Sequence, residues 1–411
     1  MKKIFFTTLL GLCCHSAMTQ TITVAAFPAV DQIVKSALEA WKKQHPGVEV
    51  KVVSREYADH HTAMTTALAT SSAMPDVMAL EYGYLGRFAQ SAGLEDLNQP
   101  PYKANQYSHQ FVAYAFQQGY SSTGGQIALP TDIGPGALFY RKDILDKAGV
   151  KEADLTSSWD SYIKAGQKIK SSTGAYLVAH ARDIKDIVIR ANVETGEGIY
   201  FDSKTGLPNV TSERFVRAFT LAKSVRDSQL DGRINAWSNE WGESFKRATV
   251  ATQMMGAWLG GHLSNWLAPD TAGKWRSTQL PENVQASWGG TFYAIPKRAE
   301  HKELAWDLIR YLTLDAAQQQ KAFESTDAFP ALLKAQEGPF FEKPIPFLGG
   351  QKARLQWRNT ARAIKPTAVF KHDAIAEEIV NAELDLVLSK NKPITQALSD
   401  ANQLIQRRAR R

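Results

Sequence analysis

The stretch Thr21–Leu80, TITVAAFPAVDQIVKSALEAWKKQHPGVEVKVVSREYADHHTAMTTALATSSAMPDVMAL, decides the fold class. It opens on an apolar run, Thr21–Phe27, that reads as a strand ending at Phe27-Pro28. Asp31 can then cap a helix whose apolar residues Ile33, Val34, Ala37, Leu38 and Trp41 recur on one face, and His45-Pro46-Gly47 stops it. Val48–Val53 alternates apolar and polar residues, as a half-buried strand does. A second helix over His60–Ser72 follows, then a short strand over Asp76–Leu80 and a further helix toward Gly93. Strand, helix, strand, helix, strand within about sixty residues is the pattern of a parallel sheet with helical crossovers. The fold class is α/β.

Upstream, Lys2 and Lys3 precede an apolar run, Ile4–Cys14, and the small and polar residues His15–Gln20. That is the layout of a secretory leader over residues 1–20, too short to span a bilayer, with cleavage expected between Ala17 and Gln20. Both cysteines, Cys13 and Cys14, fall inside it, so the mature chain has no disulfide, thiol nucleophile or cysteine-held metal. A lipoprotein needs a small residue before its modified cysteine, and Leu12 and Cys13 occupy those positions. The expectation is a free periplasmic protein rather than a lipid-anchored one. No later run has the length and apolarity of a membrane helix.

Length and composition agree. A chain of 411 residues favours more than one core, and 44% apolar with 22% charged residues is ordinary for a globular protein. Removing Lys2 and Lys3 leaves 46 basic against 41 acidic residues, a net charge of +5. Arg407, Arg408, Arg410 and Arg411 supply most of that excess, and basic residues in the last turn of a helix are favoured by its dipole. No nucleic-acid partner is expected.

Downstream, three segments carry a resemblance. Ile127–Val150, IALPTDIGPGALFYRKDILDKAGV, runs from a strand through Tyr140-x-Lys142-Asp143 into a helix and an Ala-Gly turn. Ser244–Leu259 keeps Phe245, Met254, Met255, Gly256 and Trp258 in order, although Thr249 departs from the small-residue pattern. Trp288–Thr313, WGGTFYAIPKRAEHKELAWDLIRYLT, places a Gly-Gly pair before a strand, Phe292–Pro296, and a helix striped by Leu304, Ala305, Leu308, Ile309 and Leu312. Together, from about Thr21 to the C-terminus, the chain resembles the sugar-binding extracellular solute-binding proteins of ABC importers, the family of maltose-binding protein.

The resemblance implies two α/β lobes joined by hinge crossovers, with the ligand cleft between them. It places residues 21–131 and 291–340 in the first lobe, and residues 132–290 and 341–411 in the second. The crossovers would lie at Asp132–Gly136, at Phe292–Pro296 and in the Pro- and Gly-rich Gly338–Gly350. It further implies a monomer that delivers a mono- or oligosaccharide to a membrane permease, with no cofactor, no metal and no catalysis.

Open α/β sheets bind ligands beyond the carboxyl ends of their strands. Phe27, Tyr57, Glu81, Tyr82 and Asp132 each follow a strand in that way. A sugar needs partners for its hydroxyls, for which Glu81, Asp132 and Gln351 are suited, and ring faces for its C–H surface, for which Tyr82, Trp258 and Trp288 are suited. Gly260, Gly289 and Gly290 beside those tryptophans complete the candidate ligand site. Each residue has a plainer alternative: Glu81 could cap the following helix, Asp132 could hold a turn, and the two tryptophans could be core.

Rival functions remain open. A polyol, glycerophosphodiester or sugar phosphate could occupy the same fold, although strand ends bearing Glu81 and Asp132 disfavour an anion. A secreted carbohydrate-active enzyme could use the same two acids. No Gly-x-Ser-x-Gly, His-Glu-x-x-His, Walker or dinucleotide motif occurs. His60-His61 reads as a surface pair rather than a metal site.

Overall fold

The computed structural model describes residues 20–89, 92–121 and 124–410, so the leader with Cys13 and Cys14 lies outside it. Seven strands, β1 (Gln20–Ala26), β2 (Val48–Ser54), β3 (Val77–Glu81), β4 (Leu129–Arg141), β5 (Thr252–Gly256), β6 (Trp275–Thr278) and β7 (Ser287–Ala294), form one connected sheet. The order is β2-β1-β3-β7-β4-β5, with β6 also paired to β4. β1 runs parallel to β2 and β3, joined by the helices α1 (Val30–Gln44) and α2 (Tyr57–Thr70). The alternation in β2 is that of an edge strand, whereas Val77–Leu80 of β3 are buried on both faces by flanking helices. On α1 the stripe Ile33, Val34, Ala37, Leu38 and Trp41 is buried as its spacing requires. Asp31 does not cap that helix. It sits in the first turn and pairs with Lys35 at 2.7 Å, where the helix dipole also favours an acid.

β4 is what joins the two halves. Its first part pairs with β7, and its second part, Gly136–Arg141, pairs with β5 and β6. Asp132–Gly136, where the resemblance implies a crossover, lies inside one continuous strand. Its pairing with β7 carries two register shifts, between Pro130 and Asp132 and between Ile133 and Pro135. A proline cannot donate to a ladder, so a bulge is where a strand accommodates one. A further segment lies there, upstream of Gly338–Gly350. Phe329–Ala331 already runs beside β4, with Ile133 N–H donating to Phe329 O at 2.8 Å and Ala331 N–H to Thr131 O at 3.1 Å.

The helices Arg182–Arg190, Glu213–Asp227, Asp373–Lys390 and Ile394–Ala409 surround the β4–β5 end. Their apolar faces share a core with Leu138, Tyr140 and Met254. A separate core under β1 and α1 includes Val24, Val34, Trp41 and Leu308. That core continues past β4 to Phe139, Met255 and Trp275, and a third, between β3 and α2, holds Met64, Met78 and Phe292. The mixed sheet with helices packed on it is the two-lobed α/β architecture expected from the sequence.

Candidate functional site

The site grows from the carboxyl end of β3. Glu81 is its last residue, and helix α3 (Tyr82–Ala89) starts immediately after. Oε2 of Glu81 accepts from the Tyr57 hydroxyl at 2.5 Å and from Gly83 N–H at 2.7 Å. Glu81 thus does tie down the first turn of α3, with one oxygen. The other, Oε1, faces Gly289 across the sheet, 3.4 Å from where a Cβ on that glycine would stand. Burial lifts the Glu81 pKa to about 7 against the downward pull of Tyr57 and Gly83.

Beneath it, His61 Nδ1 bonds Tyr57 O at 2.7 Å while Nε2 accepts Glu81 N–H at 3.0 Å. That pattern needs a neutral imidazole, and burial pushes its pKa down to about 3. His60 bonds Ala79 O at 2.7 Å, and both histidines are fully buried. The expected surface pair is therefore a structural pair, because α2 packs His60, His61, Met64 and Ala67 inward against the sheet. Phe27 is also inside, its ring 5.6 Å from Tyr57 and 5.5 Å from each histidine. It supports Tyr57 from below.

Asp132 lies on β4 opposite Thr291. Its Oδ1 is sealed from solvent without a hydrogen-bond partner, and burial lifts the pKa to about 6. The Thr291 hydroxyl opposite bonds the carboxyl and offsets part of that rise. Nearby, Trp258 Nε1–H donates to Trp288 O at 2.9 Å. Gly289 and Gly290 take φ of 75° and 140°, which side chains disfavour, and so bring β7 close to both groups.

The second half contributes residues that sequence reading missed. The Arg190 guanidinium lies 4.8 Å from the centre of the Trp288 ring, so one of that ring's faces is already covered. Arg190 is also paired with Asp186 at 3.1 Å and with Glu377 at 3.0 Å. A cavity beside them is lined by Tyr82, Arg190, Asn192, Gln285, Ser287 and Thr367. The Tyr200 hydroxyl and Ser287 Oγ are buried without partners. No local motif marks these residues, because they converge only when helices distant in sequence pack. Among the described residues there is no metal-binding cluster of His, Cys, Asp or Glu.

Two candidates are reassigned. Gln351 does not enter the cleft: its amide pairs with the backbone of Ser277 in β6, accepting at 2.8 Å and donating at 3.2 Å. It acts as an extra rung on a sheet edge. Gly260 is buried, with the position of a Cβ 3.3 Å from Trp357 and 3.7 Å from Asp327. Its small size serves packing.

Glu81 gives a signed pH expectation. A carboxyl whose folded-state pKa is raised contributes its stability below its ordinary value of 4.5 and loses it as pH rises through about 7. Glu81→Gln should therefore gain melting temperature relative to the unsubstituted protein as pH rises from 5 to about 8. A difference in melting temperature that stays flat with pH would show that Glu81 titrates normally.

Residues 26–319 match the family model described as bacterial extracellular solute-binding protein. The chain is 28% identical over 379 residues to the lactose-binding protein of Rhizobium radiobacter, covering 88% of this chain and 84% of that one. It is 24% identical over 328 residues to the arabinooligosaccharide-binding protein of Halalkalibacterium halodurans, covering 77% and 72%. Among solved structures, an extracellular solute-binding protein of family 1 superposes with a TM-score of 0.82 at 22% identity, covering 94% of this chain and 99% of that one. The galactobiose-bound transporter-associated protein of B. animalis subsp. lactis gives 0.78 at 24% identity, covering 94% and 97%. The chain belongs to the bacterial extracellular solute-binding proteins.

Proposed function

We propose that the protein works in the periplasm as a monomer, binding a mono- or oligosaccharide between its lobes and passing it to an inner-membrane ABC permease. The carrying observation is the pairing of incompletely used acceptors with aromatic surface. Glu81 has its Oε2 saturated and its Oε1 turned toward Gly289, and Asp132 Oδ1 has no hydrogen-bond partner. Hydroxyl-rich ligands supply such donors, and their C–H faces suit indole rings. The relatives' names, lactose- and arabinooligosaccharide-binding, agree with that chemistry. An anionic ligand is less well served, since Arg190 is already paired with Asp186 and Glu377. The family is one of binding proteins, and among the described residues no helix is long and apolar enough to cross a membrane.

The test is a thermal-shift screen over lactose, galactobiose and arabino-oligosaccharides, followed by calorimetry on the best probe. Glu81→Gln should weaken binding by about 1–3 kcal/mol, the usual cost of losing a charge-assisted hydrogen bond in a buried site. The sugar should be recovered unaltered. New reducing ends that vanish in Glu81→Gln with binding retained would make the protein a glycosidase and overturn the reading.

A further inference from the structure

An aromatic row leads outward from the cleft. Trp258, anchored by its bond to Trp288 O, is stacked on Trp237 with ring centres 5.9 Å apart and planes at 22°. His262 lies 5.3 Å from Trp258 and 5.7 Å from Trp237, and Trp266 lies 5.6 Å beyond His262. The root of the row is fixed: Trp241 is buried against Trp237 at 5.1 Å and donates to Gln253. Its outer end is bare. Trp237 and Trp266 are 56% and 55% exposed, the only tryptophans of the ten so placed.

Two backbone features hold them there. Trp237 takes φ of 70°, a left-handed conformation that bulky residues avoid and that costs on the order of 1–3 kcal/mol. Trp266 rides on a π-helical turn, Leu263–Leu267, a geometry found frequently at functional sites. Burial keeps His262 predominantly neutral by lowering its pKa, so the row is uncharged. Leaving two indoles in water, one of them on a left-handed backbone, is unfavourable for the free protein, so the compensation belongs to a bound state.

We propose that Trp237, His262 and Trp266 form an outer subsite that stacks the second and third units of an oligosaccharide whose first unit sits at Glu81 and Trp258. This rests on the carbohydrate reading and sets the ligand's length: a chain of three units or more, lying along the row, rather than a free monosaccharide. The exposed rings, Trp237 and Trp266, carry no charge, which suits a neutral glycan.

The experiment titrates two series, galactose with β-1,4-galactobiose and β-1,4-galactotriose, and arabinose with α-1,5-arabinobiose and α-1,5-arabinotriose. Wild type should bind the trisaccharide of one series at least tenfold more tightly than its monosaccharide. Trp237→Ala and Trp266→Ala should each weaken trisaccharide binding about five- to tenfold and leave monosaccharide binding unchanged. Trp237→Gly, which tolerates the left-handed backbone, should behave as Trp237→Ala does. Equal affinity along the series, or variants that bind the trisaccharide as wild type does, overturns the outer subsite and leaves the sugar reading standing. Failure of every sugar in both series to bind overturns the outer subsite, and the sugar reading then falls only if the thermal-shift screen also finds no sugar.

Discussion

Gly86→Ala should cost ligand affinity about ten- to a hundredfold while the protein still folds. Gly86 lies on α3 in the first half, and a Cβ there would overlap Phe370 O and stand 2.6 Å from its carbonyl carbon. Both atoms are backbone, so no side chain can rotate away. The Phe370 segment is fastened to the second half: Ala368 N–H donates to Glu197 O and Gly196 N–H to Pro366 O, each at 2.9 Å. The Phe370 ring also stacks on Phe201 at 5.3 Å. A methyl group at position 86 must therefore push the two halves apart. Overpacking of this kind costs about 1–3 kcal/mol, and it falls on the arrangement in which α3 meets Phe370. Because closure is driven by contacts with both halves, that cost appears directly as lost affinity. Calorimetry with the best sugar, alongside circular dichroism to confirm the fold, provides the check. Wild-type affinity in Gly86→Ala would mean that the bound state does not bring α3 against Phe370.

Gly134→Ala should instead damage the fold itself. A Cβ at Gly134 would overlap Trp288 O and lie 2.8 Å from Trp258 Nε1, so it would displace the acceptor and the donor of one hydrogen bond together. The site is the bulged pairing of β4 with β7, where the chain passes from one half to the other. Overpacking plus loss of the bond comes to about 3 kcal/mol. The urea midpoint should fall accordingly, and binding should weaken because Trp258 and Gly289 move. If Gly134→Ala leaves the midpoint unchanged, β4 and β7 are not held this closely at the hinge.

These two glycines also mark what the sequence could and could not convey. The β1–α1–β2–α2–β3 unit was legible because its periodicities are local, and Glu81 stood out because it ends a strand. At Asp132–Gly136 the Pro and Gly residues look like punctuation, yet pairing with β7 carries the strand through two register shifts. Gln351 was placed in the cleft on its chemistry, and only the position of the β6 edge shows where its amide is used. Arg190 and Glu377 left no trace in local sequence, since one ends a helix and the other lies far along the chain. Trp237 and Trp266 could not be separated from the structural tryptophans, because their exposure comes from a left-handed residue and a π-helical turn.

The central claim is that a sugar draws the two halves together over Glu81, Asp132 and Trp258. Small-angle scattering of the ligand-free protein and of the protein saturated with the sugar giving the largest thermal shift tests it most directly. The account predicts a smaller radius of gyration on saturation in wild type, and no compaction in Gly86→Ala at the same sugar concentration. Saturated wild type with an unchanged radius of gyration, or equal compaction in Gly86→Ala, would contradict it.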